Sequence, residues 1–218
     1  MNLFRLGGDL LHVFSIFVLT LKIKTSKNVA GISLRTQQLY LLVFCTRYLD
    51  LLFTNPFRSG LTMYNTVFKI LFIASSAYIV YLMRKKYKQT YSVKDDTFRV
   101  EFLIVPACLA GTLFHYRNTF FEIVWAFSIY MESVAIIPQL YLLQKTGEVE
   151  NLTSHYIACL GGYRALYLLN WVWRFFTEPR YRHWIEWIAG TIQTALYADF
   201  FYYYFLNKTK GQKLKLPP

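Results

Sequence analysis

Charge is scarce in this chain of 218 residues. Only 17% of them are Asp, Glu, Lys or Arg, against about 25% in soluble domains. Several runs of roughly twenty residues carry almost none, and that length crosses ~30 Å of hydrocarbon. The shortage excludes a soluble enzyme, a disordered chain and a nucleic-acid-binding domain. Cysteine is scarce too. Cys45, Cys108 and Cys159 are odd in number and lie in apolar segments, with neither a disulfide framework nor zinc spacing. No catalytic constellation, metal set or cofactor motif is found. The first residues lack a basic stretch and a small-residue cleavage site, so the first apolar run is expected to be a retained helix.

What is present is apolar and aromatic: 55% hydrophobic residues, 19% aromatic. Seven apolar segments predict an all-α membrane protein with seven transmembrane helices, at about 3–23, 39–53, 67–83, 100–114, 120–143, 156–176 and 184–206. The bundle is expected over 1–206, followed by a tail over 207–218. The net charge of +12 is distributed unevenly among the connections. Lys22, Lys24, Lys27, Arg35, Arg84, Lys85, Lys86, Lys88, Lys94, Arg99, Lys145, Lys208, Lys210, Lys213 and Lys215 fall on one side. Arg58, Arg117, Arg180 and Arg182 fall on the other. Lys/Arg-rich loops face the cytosol, which puts the N-terminus in the lumen and the tail in the cytosol.

Five cations remain inside the spans: Arg5, Arg47, Lys69, Arg164 and Arg174. The acids there are Asp9, Asp50, Glu122, Glu132, Glu186 and Asp199. A charge in hydrocarbon costs at least ~2.5–3.5 kcal/mol, so such residues face a cavity or each other. At 100° per residue, Tyr163, Arg164, Tyr167, Asn170, Trp171 and Arg174 share an arc of about 120° on the sixth span. Glu122, Trp125 and Glu132 share a face of the fifth. Arg47 and Asp50 are one turn apart, and Arg5 and His12 come from the first. A polar cavity lined by this set, open to the lumen, is the economical arrangement.

The halves 1–83 and 120–206 also resemble each other, with a linker helix over 100–114. Thr36 and Arg47 repeat as Thr153 and Arg164 at the same offset, and His12 falls opposite Glu132. Both halves run in the same direction, which suggests three helices, one linker and three helices about a twofold along the membrane normal.

Ile136-Ile137-Pro138-Gln139-Leu140 carries the Pro-Gln pair of PQ-loop and SWEET-like folds, which share this 3+1+3 repeat. Longer strings are more specific. Met1-Asn-Leu-Phe-Arg-Leu6, Gly8-Asp-Leu-Leu-His12, Thr46-Arg-Tyr-Leu-Asp-Leu51 and Asp96-Thr-Phe-Arg99 resemble the KDEL receptor family. So do Phe127-Ser-Ile-Tyr-Met-Glu-Ser-Val-Ala135, Tyr163-Arg-Ala-Leu-Tyr167 and Asn170-Trp-Val-Trp-Arg174. The resemblance runs from Met1 to Leu216. It implies a receptor that binds the C-terminal Lys/His-Asp-Glu-Leu signal of endoplasmic-reticulum proteins in the acidic Golgi. Such a receptor returns its cargo in COPI vesicles, releases it near neutral pH and cycles between the two membranes.

The resemblance also implies roles. Arg47 and Tyr48 clamp the terminal carboxylate, Arg5 holds the signal's Glu, and Arg164 its Asp. Asp50, Glu122, Trp125 and Trp171 surround the first residue. His12 senses protons with Glu132 and Tyr163. Tyr167, Asn170, Arg174 and Asp199 support the network, and Lys208, Lys210, Lys213 and Lys215 carry the coat signal. The implied partners are the tetrapeptide signal, the COPI coat and membrane lipid, without nucleic acid. The sequence departs from the family in the longer 55–61 loop and in the tail at Gln212 and Lys215. It also departs at an Asp expected near the last span, where His183 or Glu186 stands. A SWEET-like transporter of a small anionic solute is the alternative. A G-protein-coupled receptor fits less well, because no Asp-Arg-Tyr follows a third span.

Overall fold

The computed structural model describes residues 2–147, 149–179, 181, 183–210 and 214. Among them every regular element is helical: α1 (Leu3–Ser26), α2 (Leu34–Arg47), α3 (Gly60–Tyr81), α4 (Glu101–Leu113), α5 (Phe120–Val134), α6 (Ile137–Thr146), α7 (Asn151–Thr177), α8 (Trp184–Leu196) and α9 (Ala198–Thr209). Side-chain oxygens start several of them by accepting the orphan N–H groups of the first turn. Asn2 accepts from the Arg5 amide, Ser33 from Thr36, Ser59 from Thr62 and Thr119 from Glu122. Lys27 (φ 50°) and Gly147 (φ 78°) end α1 and α6 in backbone conformations that stop a helix.

A helix occupies each apolar segment expected from the sequence, with altered limits. α2 begins at Leu34, five residues before the apolar run, because Thr36 and Gln37 are buried and satisfied inside the bundle. The fifth segment is two helices, broken at Ala135–Ile136 before Pro138. The seventh breaks at Tyr197. Among the described residues, three helical stretches are long and apolar enough to cross a membrane: Leu3–Ser26, Gly60–Lys86 and Phe120–Thr146. Glu101–Leu113 is apolar but shorter.

α1 lies along α7, and α2 along α5. Each of these pairs is flanked by a third helix, α3 on α2 and α8 on α7. α4 packs on α5. The Gly8 backbone sits against the Tyr167 ring, so an added Cβ would come within 2.8 Å of it. This close approach draws α1 onto the polar stripe of α7. Large apolar side chains point outward, including Leu10, Phe17, Ile70, Val105, Leu109, Ile188 and Phe205. Buried positions include Asp9, His12, Lys22, Glu132, Gln139 and Arg164. A hydrophobic exterior around a polar interior is the pattern of a protein solvated by lipid.

Candidate functional site

A cavity of about 350 Å³ opens between α1, α2, α3, α5 and α7. At its floor stands Glu132 of α5, which is buried. Both Arg47, from the end of α2, and Arg164, from α7, are ion-paired to this one carboxylate. The Tyr163 hydroxyl donates to the same group at 2.9 Å. Arg47 also donates from Nε to Ser128 Oγ at 3.1 Å and from Nη2 to the Ser128 carbonyl at 2.8 Å, one turn before Glu132. All three guanidinium nitrogens of Arg47 are thus bonded to α5. Arg164 Nε has no partner among the described residues.

His12 of α1 forms the neighbouring wall. Its ring stacks on Tyr163 at 4.0 Å and on Phe72 at 4.5 Å. Nearer the mouth, Arg5 donates to Asn65 Oδ1 at 2.8 Å and lies 4.0 Å from Asp9. Asp9 accepts from Tyr64 at 2.9 Å and from Tyr167. Tyr48 and Trp171 complete the lining. Trp171 lies against Gly190, where a Cβ would come within 2.2 Å of its ring. Side chains lining the cavity therefore carry four cations, Arg5, Arg47, Lys69 and Arg164, against two carboxylates, Asp9 and Glu132. The surplus is positive, and it lies in a cleft with apolar walls, where fields are focused.

A second recess of about 500 Å³ shares Arg47, Tyr48 and Lys69 with the first and adds Asp50, Glu122 and Trp125. Lys69 is ion-paired to Asp50. The acids of this recess adjoin the cationic cavity. An extended ligand with a cation at one end and anions at the other matches that sequence of charges.

The structure brings Arg5, His12, Arg47, Tyr48, Glu132, Tyr163, Arg164, Tyr167 and Trp171 to the cavity, and Asp50, Glu122 and Trp125 to the recess. Trp171 is thereby separated from the three residues with which the resemblance grouped it. Two expectations are corrected. Arg174 does not join the cavity. It makes a two-pronged contact with Glu178 at 2.8 and 2.9 Å and lies 4.6 Å over the Tyr181 ring. Asp199 is exposed in a lateral recess with Phe98, Tyr141 and Phe200. Asn170 is buried without lining the cavity, and its Oδ1 has no partner among the described residues. Near the last span, Glu186 accepts from Tyr116 at 2.7 Å and pairs with His183 at 3.0 Å, not with Arg174. Lys208 and Lys210 end α9 and are exposed. Lys213, Lys215 and Gln212, together with Arg180 and Arg182, lie outside the described residues.

The sequence reading assigned no role to Asp9, Asn65, Lys69, Ser128 or Glu178. Asp9 and Lys69 stood out as charges within spans. Ser128 lies one turn from Glu132 and Glu178 one turn from Arg174, spacings that place side chains together.

Residues 28–174 match the family described as ER lumen protein retaining receptor. The chain belongs to that family. It is 53% identical to ER lumen protein-retaining receptor B of Arabidopsis thaliana, 51% to the ER lumen protein-retaining receptor of Drosophila melanogaster and 52% to ER lumen protein-retaining receptor 2 of Gallus gallus. All of each chain is covered in every case. The family match includes Arg47, Glu132 and Arg164. Arg5 and His12 of α1 lie before it, within the similarity to these relatives. ER lumen protein-retaining receptors are receptors and not enzymes.

Proposed function

We propose that the chain binds the C-terminal Lys/His-Asp-Glu-Leu signal of soluble endoplasmic-reticulum proteins in the acidic Golgi and releases it near neutral pH. One observation carries this reading: a buried guanidinium, Arg164, and a part-buried one, Arg47, share a single carboxylate at the floor of a net-positive cavity. An incoming carboxylate supplies the missing negative charge beside two guanidiniums that are largely shielded from solvent, where charge-assisted, forked contacts are strong. In this reading Arg47 and Tyr48 take the terminal carboxylate, Arg5 the signal's Glu and Arg164 its Asp. Asp50 and Glu122 then receive the cationic first residue, beside Trp125.

His12 is the proposed proton sensor. Arg47, Arg164 and Glu132 are the charged groups around it, with Tyr163, Phe44 and Phe72 against its ring. A proton on His12 adds a cation beside two guanidiniums, and a bound anionic signal provides its counter-charge. Binding and protonation then strengthen each other by the same factor. Seven spans with a lumenal N-terminus are proposed around this site, and the exchange of α1–α7 with α5–α2 contacts supports the pseudo-twofold. The lysines over 208–215 are proposed to meet the COPI coat, so that the receptor cycles between Golgi and endoplasmic reticulum.

The test is binding of a peptide ending in Lys-Asp-Glu-Leu to the purified protein at about pH 5.5 and about pH 7.5, which bracket the titration of imidazole. Saturable binding that weakens at the higher pH is expected, and absence of binding at both would overturn the reading. Flux of an acidic amino acid into proteoliposomes, without peptide binding, would instead favour a SWEET-like transporter.

A further inference from the structure

Two groups of cations contrast among the described residues. Arg5, Lys22, Arg47, Lys69, Arg164 and Arg174 each have a carboxylate within 4.0 Å. The connection from α3 to α4 is different. It carries Arg84, Lys85, Lys86, Lys88, Lys94 and Arg99 within sixteen residues, all exposed and none in an ion pair among the described residues. Local acids do not offset them. Asp96 is buried and accepts from Ser33 at 2.9 Å and Tyr91 at 2.7 Å. Asp95 accepts from Ser92.

At the end of this connection a concavity lies between Arg35 and Arg99, bordered by Val93, Thr97, Glu101 and Phe102. Arg35 is fixed, because its guanidinium donates to the Phe98 carbonyl and its amide to Asp96. Val93 and Phe102 are each 68% exposed. Phe102 sits in the first turn of α4, whose outward face continues as Val105 and Leu109. The concavity is therefore cationic at its rim and runs directly onto an apolar helix face.

We propose that this concavity seats the headgroup of an anionic membrane lipid bearing a phosphate monoester. Arg35 and Arg99 take the phosphate, Lys94 adds attraction, and the acyl chains lie along Phe102, Val105 and Leu109. The apolar edge assigns the ligand to the membrane and not to a soluble phosphate. Two forked guanidiniums favour a dianionic monoester over a singly charged diester. Glu101 is the one carboxylate on the rim and works against the site. The inference does not depend on what binds in the lumenal cavity.

Full-length protein in nanodiscs of phosphatidylcholine doped with phosphatidylinositol monophosphate, phosphatidylinositol or phosphatidylserine tests this, with bound lipid read by native mass spectrometry. The monophosphate is expected to be retained at least tenfold over phosphatidylserine. Each juxtamembrane cation is worth roughly fivefold in lipid retention, so Arg99→Gln should lower it by that factor. Glu101→Gln should raise retention, a gain that misfolding does not produce. Lumenal peptide binding should be unchanged in both variants. Equal retention of the three anionic lipids, or equal loss from Lys85→Gln and Arg99→Gln, would reduce the patch to diffuse attraction and overturn the site. Competition by free inositol bisphosphate as strong as by the lipid would overturn its assignment to the membrane. So would a loss of coat-protein binding in Arg99→Gln with lipid retention unchanged.

Discussion

Glu132→Ala removes the carboxylate shared by Arg47 and Arg164. Both guanidiniums then face each other in a buried site, with Tyr163 left without its acceptor. Breaking a buried pair by deleting one partner costs about 3–5 kcal/mol, because an uncompensated charge stays behind. At about 2–4 °C per kcal/mol for a chain of this size, the loss is roughly 6–20 °C in melting temperature. The assay is thermal unfolding of the detergent-purified protein at neutral pH. A cycle separates charge from packing. Glu132→Leu combined with Arg47→Met and Arg164→Met replaces all three charges by apolar groups, which is often neutral or stabilising. The triple variant should therefore melt near or above wild type while losing peptide binding. If Glu132→Ala melts within about 2 °C of wild type, the charges are not held as described. If the triple variant is as unstable as the single one, the loss is due to packing and the electrostatic argument fails.

Arg47→Ala should abolish peptide binding, a loss of ~2–5 kcal/mol. C-terminal amidation of the peptide should do the same to wild type, and tight binding of the amide would refute the clamp. Asp50→Asn should narrow the preference for Lys over Asp at the signal's first position, measured with a peptide series; an unchanged ranking places the selection elsewhere. His12→Ala should weaken binding at acidic pH and flatten its pH profile, whereas a profile that stays steep would assign the proton to a carboxylate. The Glu178 carboxyl is held below its usual range by hydrogen bonds from Arg174. That stabilisation is present above the unfolded value and is lost only as pH falls through the lowered one, on the acid side of the ordinary carboxylate range. Glu178→Gln should therefore leave the binding profile between about pH 5.5 and about pH 7.5 unchanged.

The helices were legible because long apolar runs have few ways to satisfy their backbone. Their limits were less so. The first turn of α2 reads as a polar connection, but Gln139 donates its amide N–H to Thr36 and accepts from the Ser33 amide at 2.8 Å, and Gln37 reaches Tyr156 at 2.9 Å. Those partners lie more than a hundred residues away, beyond any local pattern. The site was legible as faces. A helical wheel, however, discards height: Arg164 and Arg174 share an arc yet stand ten residues, about 15 Å, apart along α7. Arg174 accordingly finds Glu178 at its own helix end and does not line the cavity. Asp199 was placed in the network by the resemblance alone. Its recess beside α6 is lateral, an arrangement that depends on the break at Tyr197.

The proposed repeat explains why the cavity is cationic. Arg47 and Arg164 are counterparts in the two halves, and each extends toward the shared floor. A fully symmetric site would supply two carboxylates for two guanidiniums and offer an anion nothing. The counterpart of Glu132 is His12, which lies against Tyr163 beside that floor. A neutral imidazole leaves one guanidinium charge to be matched by the ligand, and a protonated one leaves two. In the proposed reading, His in place of one carboxylate at the symmetry-related position creates the need for an anionic ligand and makes that need depend on pH. His12→Glu should restore the symmetric neutral floor. It would remove acid-enhanced binding while keeping the ion-pair network, so the variant should melt at or above wild type and fail to bind peptide at any pH. A His12→Glu protein that still bound the signal more tightly in acid would show that the asymmetry is not the source of the charge.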